Sequence, residues 1–173
     1  MAEVIIVIAQ EGFQDKEFSD TKESISRAGF KCDVASSSTS IAKGKLGLEI
    51  YPDITIEDAL IGLDMYRAVV FIGGPGAYDL IDDKKVQGLA KMALDKDKLV
   101  CAICVAPMIL AKAGILSDKE ATVWDGDKEQ SSYFNSNGIR YTGEDVTVDG
   151  KIVTANGPEA AASFGEKIAE LLS

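Results

Sequence analysis

Cys104 is the residue of this chain with the strongest claim to chemistry. It is the centre of Ala102-Ile103-Cys104-Val105-Ala106, a small-x-Cys-x-small pattern. Before it, Leu99, Val100 and Cys101 read as a buried strand; after it, helix formers run on to Gly114. This is the arrangement of a nucleophile elbow with cysteine in place of serine. Such a strand-to-helix turn leaves no room for bulky side chains two residues either side of the nucleophile. The central residue is held in a strained conformation with its side chain thrust outward. Pro107 suits a first helical turn, where its missing N–H is not needed. Sulfur at a helix N-terminus is favoured as thiolate, so the pattern predicts a Cys104 pKa below the free value of about 8.5. The competing possibility is a buried cysteine in an ordinary strand-to-helix turn, and these residues alone leave both open.

Gly73-Gly74-Pro75-Gly76 follows another apolar run, Ala68 to Ile72. The spacing is neither G-x-G-x-x-G nor G-x-x-x-x-G-K-[ST], so it does not point to a nucleotide. Glycines here could let the backbone approach the nucleophile and aim an N–H at a reacting oxygen. With the N–H of Val105 that would make a two-donor oxyanion hole. A tight turn needing positive φ explains the same residues. Glu17 is one of several early acids, with Glu11, Asp15 and Asp20, and spacing gives it no advantage over Asp15. Cys101 and Cys104 form C-x-x-C, but Cys101 falls within the strand and reads as a small core residue, as does Cys32. Trp124, the single tryptophan, is either core filling or a pocket wall.

The chain contains no histidine. A Cys-His dyad, a Ser-His-Asp triad and a histidine-ligated metal are therefore excluded, and a second copy of the chain could not supply the imidazole. Any base must be a carboxylate, cysteine, lysine or tyrosine. The net charge of -10 repels phosphate backbones, which argues against nucleic acid as a partner. No apolar run has membrane-spanning length, and no basic region precedes the apolar Glu3–Ala9 stretch. The expectation is a cytoplasmic protein with no membrane partner.

The elements that would position these residues follow from patterning. With 173 residues, residues 1–173 read as a single domain. Glu3–Ala9, Phe30–Ser36, Ala68–Ile72 and Lys98–Ala102 read as strands, and the continuous apolar runs among them suit a parallel sheet buried on both faces. Helices are expected over Asp15–Ala28, Ile56–Gly62, Lys84–Asp95, Cys104–Ala113 and Pro158–Leu172. Residues 41–54 suggest a small antiparallel excursion, Glu120–Trp124 a further strand, and residues 127–134 a short helix or loop. Asp149-Gly150 marks a hairpin between residues 145–149 and 152–155. The fold class is α/β, with helices packed on a mainly parallel sheet, and sites in such folds lie beyond the carboxyl ends of the strands.

AICVAP after one strand, GGPG after another and TANGPEAA before the last helix together resemble the ThiJ/PfpI superfamily. The similarity runs nearly end to end, through EVIIVIA, SRAGFKCDVAS, YPDITIEDA and VVFIGGPGA, and is greatest to the parkinsonism-associated deglycase branch. The resemblance implies a flavodoxin-like three-layer sandwich, usually a homodimer or larger, and no cofactor or metal. It matches the family's nucleophilic cysteine to Cys104, its strand-end oxyanion glycine to Gly74, and its pocket glutamate to Glu17. It also places Gly73, Trp124, Asn156, Gly157 and Pro158 along the pocket wall. The departures are specific. Val105 stands where the protease-like branch has histidine, Trp124 where the deglycase branch has its pocket histidine, and Asn156 where many relatives carry arginine.

These features imply cofactor-free glyoxalase or deglycase chemistry on a small-molecule aldehyde or glycated substrate, through a Cys104 hemithioacetal with Glu17 moving protons. The alternative is a redox-sensing or chaperone-like stress protein whose Cys104 is oxidised to sulfinate. An intracellular cysteine peptidase is disfavoured by the missing imidazole.

Overall fold

The computed structural model describes residues Met1–Ser173. The chain runs β1 (Val4–Val7), β2 (Glu11–Phe13), α1 (Asp15–Arg27), β3 (Cys32–Ser36), β4 (Ala42–Gly44), β5 (Glu49–Ile50), β6 (Ile54–Thr55) and α2 (Ile56–Ile61). It continues with β7 (Ala68–Phe71), α3 (Tyr78–Ile81), α4 (Lys84–Asp95), β8 (Leu99–Ile103) and α5 (Pro107–Lys112). The last elements are β9 (Glu120–Ala121), α6 (Glu129–Ser136), β10 (Arg140–Tyr141), β11 (Val146–Asp149), β12 (Ile152–Ala155) and α7 (Ala161–Leu172).

Seven strands form the central sheet in the order β11-β12-β8-β7-β1-β3-β6. All its pairs are parallel except the β11–β12 hairpin. β1, β7 and β8 are buried at every position, as strands covered on both faces require. On one face α1 packs against α7, and Gly165 permits the approach: a Cβ there would lie 2.7 Å from Thr21 O. On the other face α4 packs against α2, α5, β7 and β8. No helix is long and apolar enough to cross a membrane.

Register decides where the strands end. Val7 pairs with Phe71, Phe71 with Ala102, and Ile103 with Ala155. The β1, β7, β8 and β12 chains therefore leave the sheet side by side, and the segments after them share one edge.

Several boundaries differ from the sequence expectation. Residues 41–54 hold an antiparallel pair, β4–β5, but β2 adds to it in parallel to make a three-stranded sheet. The expected strand Glu120–Trp124 stops at Ala121 and pairs with β10 outside the central sheet. The helix expected from Cys104 begins at Pro107, because Cys104 itself has φ 64° and cannot join a right-handed helix. The last helix starts at Ala161, after a 3-10 turn over Pro158–Ala160.

Candidate active site

Cys104 occupies a true elbow. Its φ of 64° lies in the left-handed region that L side chains rarely adopt. Hydrogen bonds hold it there from both sides: Cys104 N donates to Ala155 O at 2.9 Å, and Trp124 N donates to Cys104 O at 2.8 Å. Ala106 N closes the turn onto Ile103 O at 3.1 Å. Ala102 and Ala106 are fully buried, so larger side chains would have no space. The Cys104 side chain keeps a small opening, with the residue 8% exposed.

Glu17 comes from the first turn of α1. The Gln14 side chain caps that turn by accepting from Glu17 N at 2.8 Å. Glu17 is 0% exposed, and its Oε2 accepts from Gly73 N at 2.9 Å. Its Oε1 is buried without a formed hydrogen bond, and its carboxyl and the Cys104 thiol interact as a side-chain pair. Gly73 lies between the two: a Cβ there would sit 2.5 Å from Cys104 Cβ and 2.9 Å from Glu17 Oε2. Gly74 has φ 102°, and a Cβ on it would lie 2.5 Å from Gln14 N and 2.7 Å from Gly12 O. Glycine there lets the backbone come close to the nucleophile, and the Gly74 and Val105 N–H groups both act to lower the Cys104 pKa.

The two titratable groups share one environment. Burial pushes the Glu17 carboxyl up to about 7, opposed by the adjacent Cys104 thiol, the Gly73 N–H and the Lys45 charge. Burial also pushes the Cys104 thiol up to about 12, aided by the Glu17 charge and hydrogen bond and opposed by the Gly74 and Val105 N–H groups. This corrects the expected low thiol pKa. The helix that was to favour thiolate begins three residues later and spans only six residues. Its partial charge is remote, and desolvation outweighs two backbone donors. The pair thus loses its first proton near neutrality. Cys32, half-buried, is raised to about 11 by burial; Cys101, enclosed in β8, is raised further by the same cause.

A cavity of about 260 Å³ opens over the pair. Among the expected residues, Glu17, Gly74, Cys104, Val105, Trp124 and Pro158 line it. Gly73 does not; it is packed beneath, between Glu17 and Cys104. Asn156 and Gly157 do not line it either. Asn156 N and Nδ2 both donate to Asp145, which turns the side chain onto the β11 side. The Trp124 indole reaches the cavity because Gly126 leaves room beside it; a Cβ there would lie 2.4 Å from the ring.

Gln14, Lys45, Pro75 and Tyr78 also line the cavity, beyond the residues the sequence pointed to. Gln14 could have been suspected as a cap just ahead of α1. Nothing in the local sequence marks Lys45 or Tyr78. Lys45 arrives through the tertiary packing of the β4–β5 hairpin, where Asp15 accepts from Leu46 N at 2.9 Å and Leu48 N at 2.8 Å. Asp15 and Glu17, indistinguishable in sequence, thus do different things: one anchors a hairpin, the other faces the thiol.

Comparison with known proteins identifies the family of this chain. The family model described as DJ-1/PfpI matches residues 2–171. Protein dj-1beta of Drosophila melanogaster is 32% identical over 176 residues, covering 100% of this chain and 91% of its own length. Its crystal structure superposes with a TM-score of 0.88 at 29% identity, over 99% of this chain and 91% of that one. The glutathione-independent glyoxalase DJR-1.2 of Caenorhabditis elegans is 26% identical over 168 residues, 97% of this chain and 87% of its own. A Pyrococcus abyssi protein named as a deglycase is 26% identical over 168 residues, 97% of this chain and 98% of its own. A mainly parallel α/β sandwich with a cysteine elbow, matched across nearly its whole length, places this chain in the DJ-1/PfpI family.

Proposed function

We propose that this chain is a cofactor-free, glutathione-independent glyoxalase or deglycase acting on α-oxoaldehydes of the methylglyoxal type. The observation that carries this reading is the buried Glu17 carboxyl paired with Cys104 beneath two backbone N–H groups, at the floor of an open cavity. Relatives named as a glyoxalase and a deglycase support it.

Chemistry on such a site follows from the protonation states. Near neutrality Glu17 begins to ionise while Cys104 remains a thiol. The sulfur attacks the aldehyde carbon as its proton passes to the Glu17 carboxylate, and the C–S bond forms. The former carbonyl oxygen takes up negative charge within reach of the Gly74 and Val105 N–H groups, then takes the proton back from Glu17. Glu17 next removes the proton from the thiohemiacetal carbon and keeps it, an enediolate forms across the two former carbonyl carbons, and the hydroxyl proton shifts to the neighbouring oxygen. Returning that proton to the neighbouring carbon gives a 2-hydroxy thioester. Water then releases the 2-hydroxy acid and restores the thiol. One water is consumed, the aldehyde carbon is oxidised as its neighbour is reduced, and no external electron carrier is needed. In a chain without histidine, one carboxyl of tuned pKa serves as base and acid in turn.

The test is conversion of methylglyoxal to lactate without glutathione. Cys104→Ala should abolish it, and Glu17→Gln should lower kcat/KM by about 100-fold or more while the protein stays folded. Full turnover by Cys104→Ala would reject the reading. So would absence of turnover in the wild-type chain; peroxide converting Cys104 to sulfinate in that inactive chain would favour the oxidation sensor instead.

A further inference from the structure

Lys45 is the one lysine or arginine lining the cavity above Cys104 and Glu17. Ten salt bridges form across the molecule, and none uses Lys45. Its side chain is exposed at the rim, but its backbone is pinned. Lys45 N donates to Phe13 O at 2.8 Å, and Asp15 holds the next residues through Leu46 N and Leu48 N. Gly44 makes this possible, since a Cβ there would lie 2.4 Å from Asp15 Oδ1. A buried acid, a glycine and a strand-end carbonyl thus fix where this ammonium enters the site.

We propose that Lys45 is the specificity residue of this site and selects α-oxoaldehydes carrying a carboxylate a few bonds from the aldehyde, in preference to neutral ones. This rests on the aldehyde chemistry proposed above and names its substrate class. The cavity, about 260 Å³, approaches the lower end of small-molecule pockets, roughly 300 Å³. A three-carbon oxoaldehyde needs only its floor. The rest of the surroundings repels anions: the chain carries net charge -10, and Asp127 and Glu129 act on Tyr78 across the site from the α6 side. A neutral substrate gains nothing from an unpaired ammonium at the rim. An anionic one must find a cation there, and Lys45 is that cation.

The experiment compares kcat/KM for 4,5-dioxopentanoate, a carboxylated oxoaldehyde, with kcat/KM for methylglyoxal. The ratio is the readout because Lys45 also holds the Glu17 pKa down, and its loss moves the pH profiles of both substrates together. The wild-type ratio should favour the carboxylate. Lys45→Met should lower the ratio by about fivefold, the effect of one partly exposed charge pair, and Lys45→Arg should preserve it. A ratio unmoved by Lys45→Met overturns the proposal. A second measurement needs no turnover: the rate of Cys104 alkylation by iodoacetate divided by that by iodoacetamide. Lys45→Met should lower this quotient by about fivefold and Lys45→Arg should keep it. If no oxoaldehyde is turned over, the glyoxalase reading fails, and this quotient alone decides whether Lys45 receives anions; an unchanged quotient rejects that too.

Discussion

At the residue scale, the site is one proton shared by a buried carboxyl and a buried thiol. The active form has lost a proton from this pair, so kcat/KM should rise with pH through about 7, the value to which burial lifts Glu17. One unit below that value the rate should be about tenfold lower than the plateau, and Glu17→Gln should erase this limb. A profile flat between pH 6 and 8 would contradict it. Alkylation should also be selective. Cys104 faces the cavity with two N–H groups and the Glu17 carboxyl beside it, whereas Cys101 is enclosed and Cys32, raised by burial, lies outside that cavity. Mass spectrometry of the iodoacetamide-treated protein should find Cys104 modified first; earlier modification of Cys32 would refute the pairing with Glu17. Amide hydrolysis needs a proton delivered to a poor leaving group, and no imidazole exists to do it. Peptide-coumarin substrates should therefore remain uncleaved, and cleavage lost specifically in Cys104→Ala would be the contrary result.

At the scale of elements, backbone geometry brings the two residues together. Gly74→Ala would force a Cβ into a φ of 102° and against Gln14 N and Gly12 O. The expected loss is about 2 kcal/mol or more. Gly88, inside α4, has nothing within 4 Å of its would-be Cβ. Gly88→Ala should instead stabilise by about 0.5–1 kcal/mol. Denaturant midpoints of the two variants should move in opposite directions. The hairpin that carries Lys45 depends on Asp15. Asp15→Ala removes two carboxylate hydrogen bonds, from Leu46 N and Leu48 N, at a cost of about 1–3 kcal/mol. Hydrogen exchange should accelerate at those two amides before it does so in the central sheet, and uniform exchange across the molecule would show that Asp15 has no local role.

At the scale of the whole molecule, the site subtracts from stability in a pH-dependent way. Glu17 has a pKa near 7 in the folded chain against an ordinary value of 4.5. Between these values the folded state binds more protons than the unfolded one, so stability falls as pH rises from about 4.5 to 7 and levels off above. The full loss is about 3 kcal/mol. Glu17→Gln removes the group, so the stability difference between wild type and variant should grow in the variant's favour from pH 5 to pH 8. Urea unfolding at both pH values checks this, and a pH-independent difference would show that Glu17 is not held uncharged by burial. The cost falls on a fold with ample core: a continuous cluster of 52 buried apolar residues covers both faces of the sheet.

The chain order of apolar runs, glycines and caps was enough to imply a parallel α/β sandwich with Cys104 at a strand-to-helix turn. Those signals are local: a β-branched run is buried wherever it lies, and small residues around a nucleophile announce a tight bend. Pro158 and Trp124 could be placed near the pocket only through a family likeness, and the same likeness put Asn156 and Gly157 on a wall they do not form. Asn156 instead turns to Asp145, a partner eleven residues away just before the neighbouring strand β11. Glu17 and Asp15 looked alike because their fates depend on Gly73 and on Leu46 and Leu48, which reach them only when β7 and the β4–β5 hairpin pack beside α1. The thiol pKa differs from the sequence expectation for a related reason. Helix position is written in sequence, but desolvation is set by everything that closes over the sulfur. Strand ends were legible residue by residue; which side chains meet beyond them was decided by register and by the segments that fold across that edge.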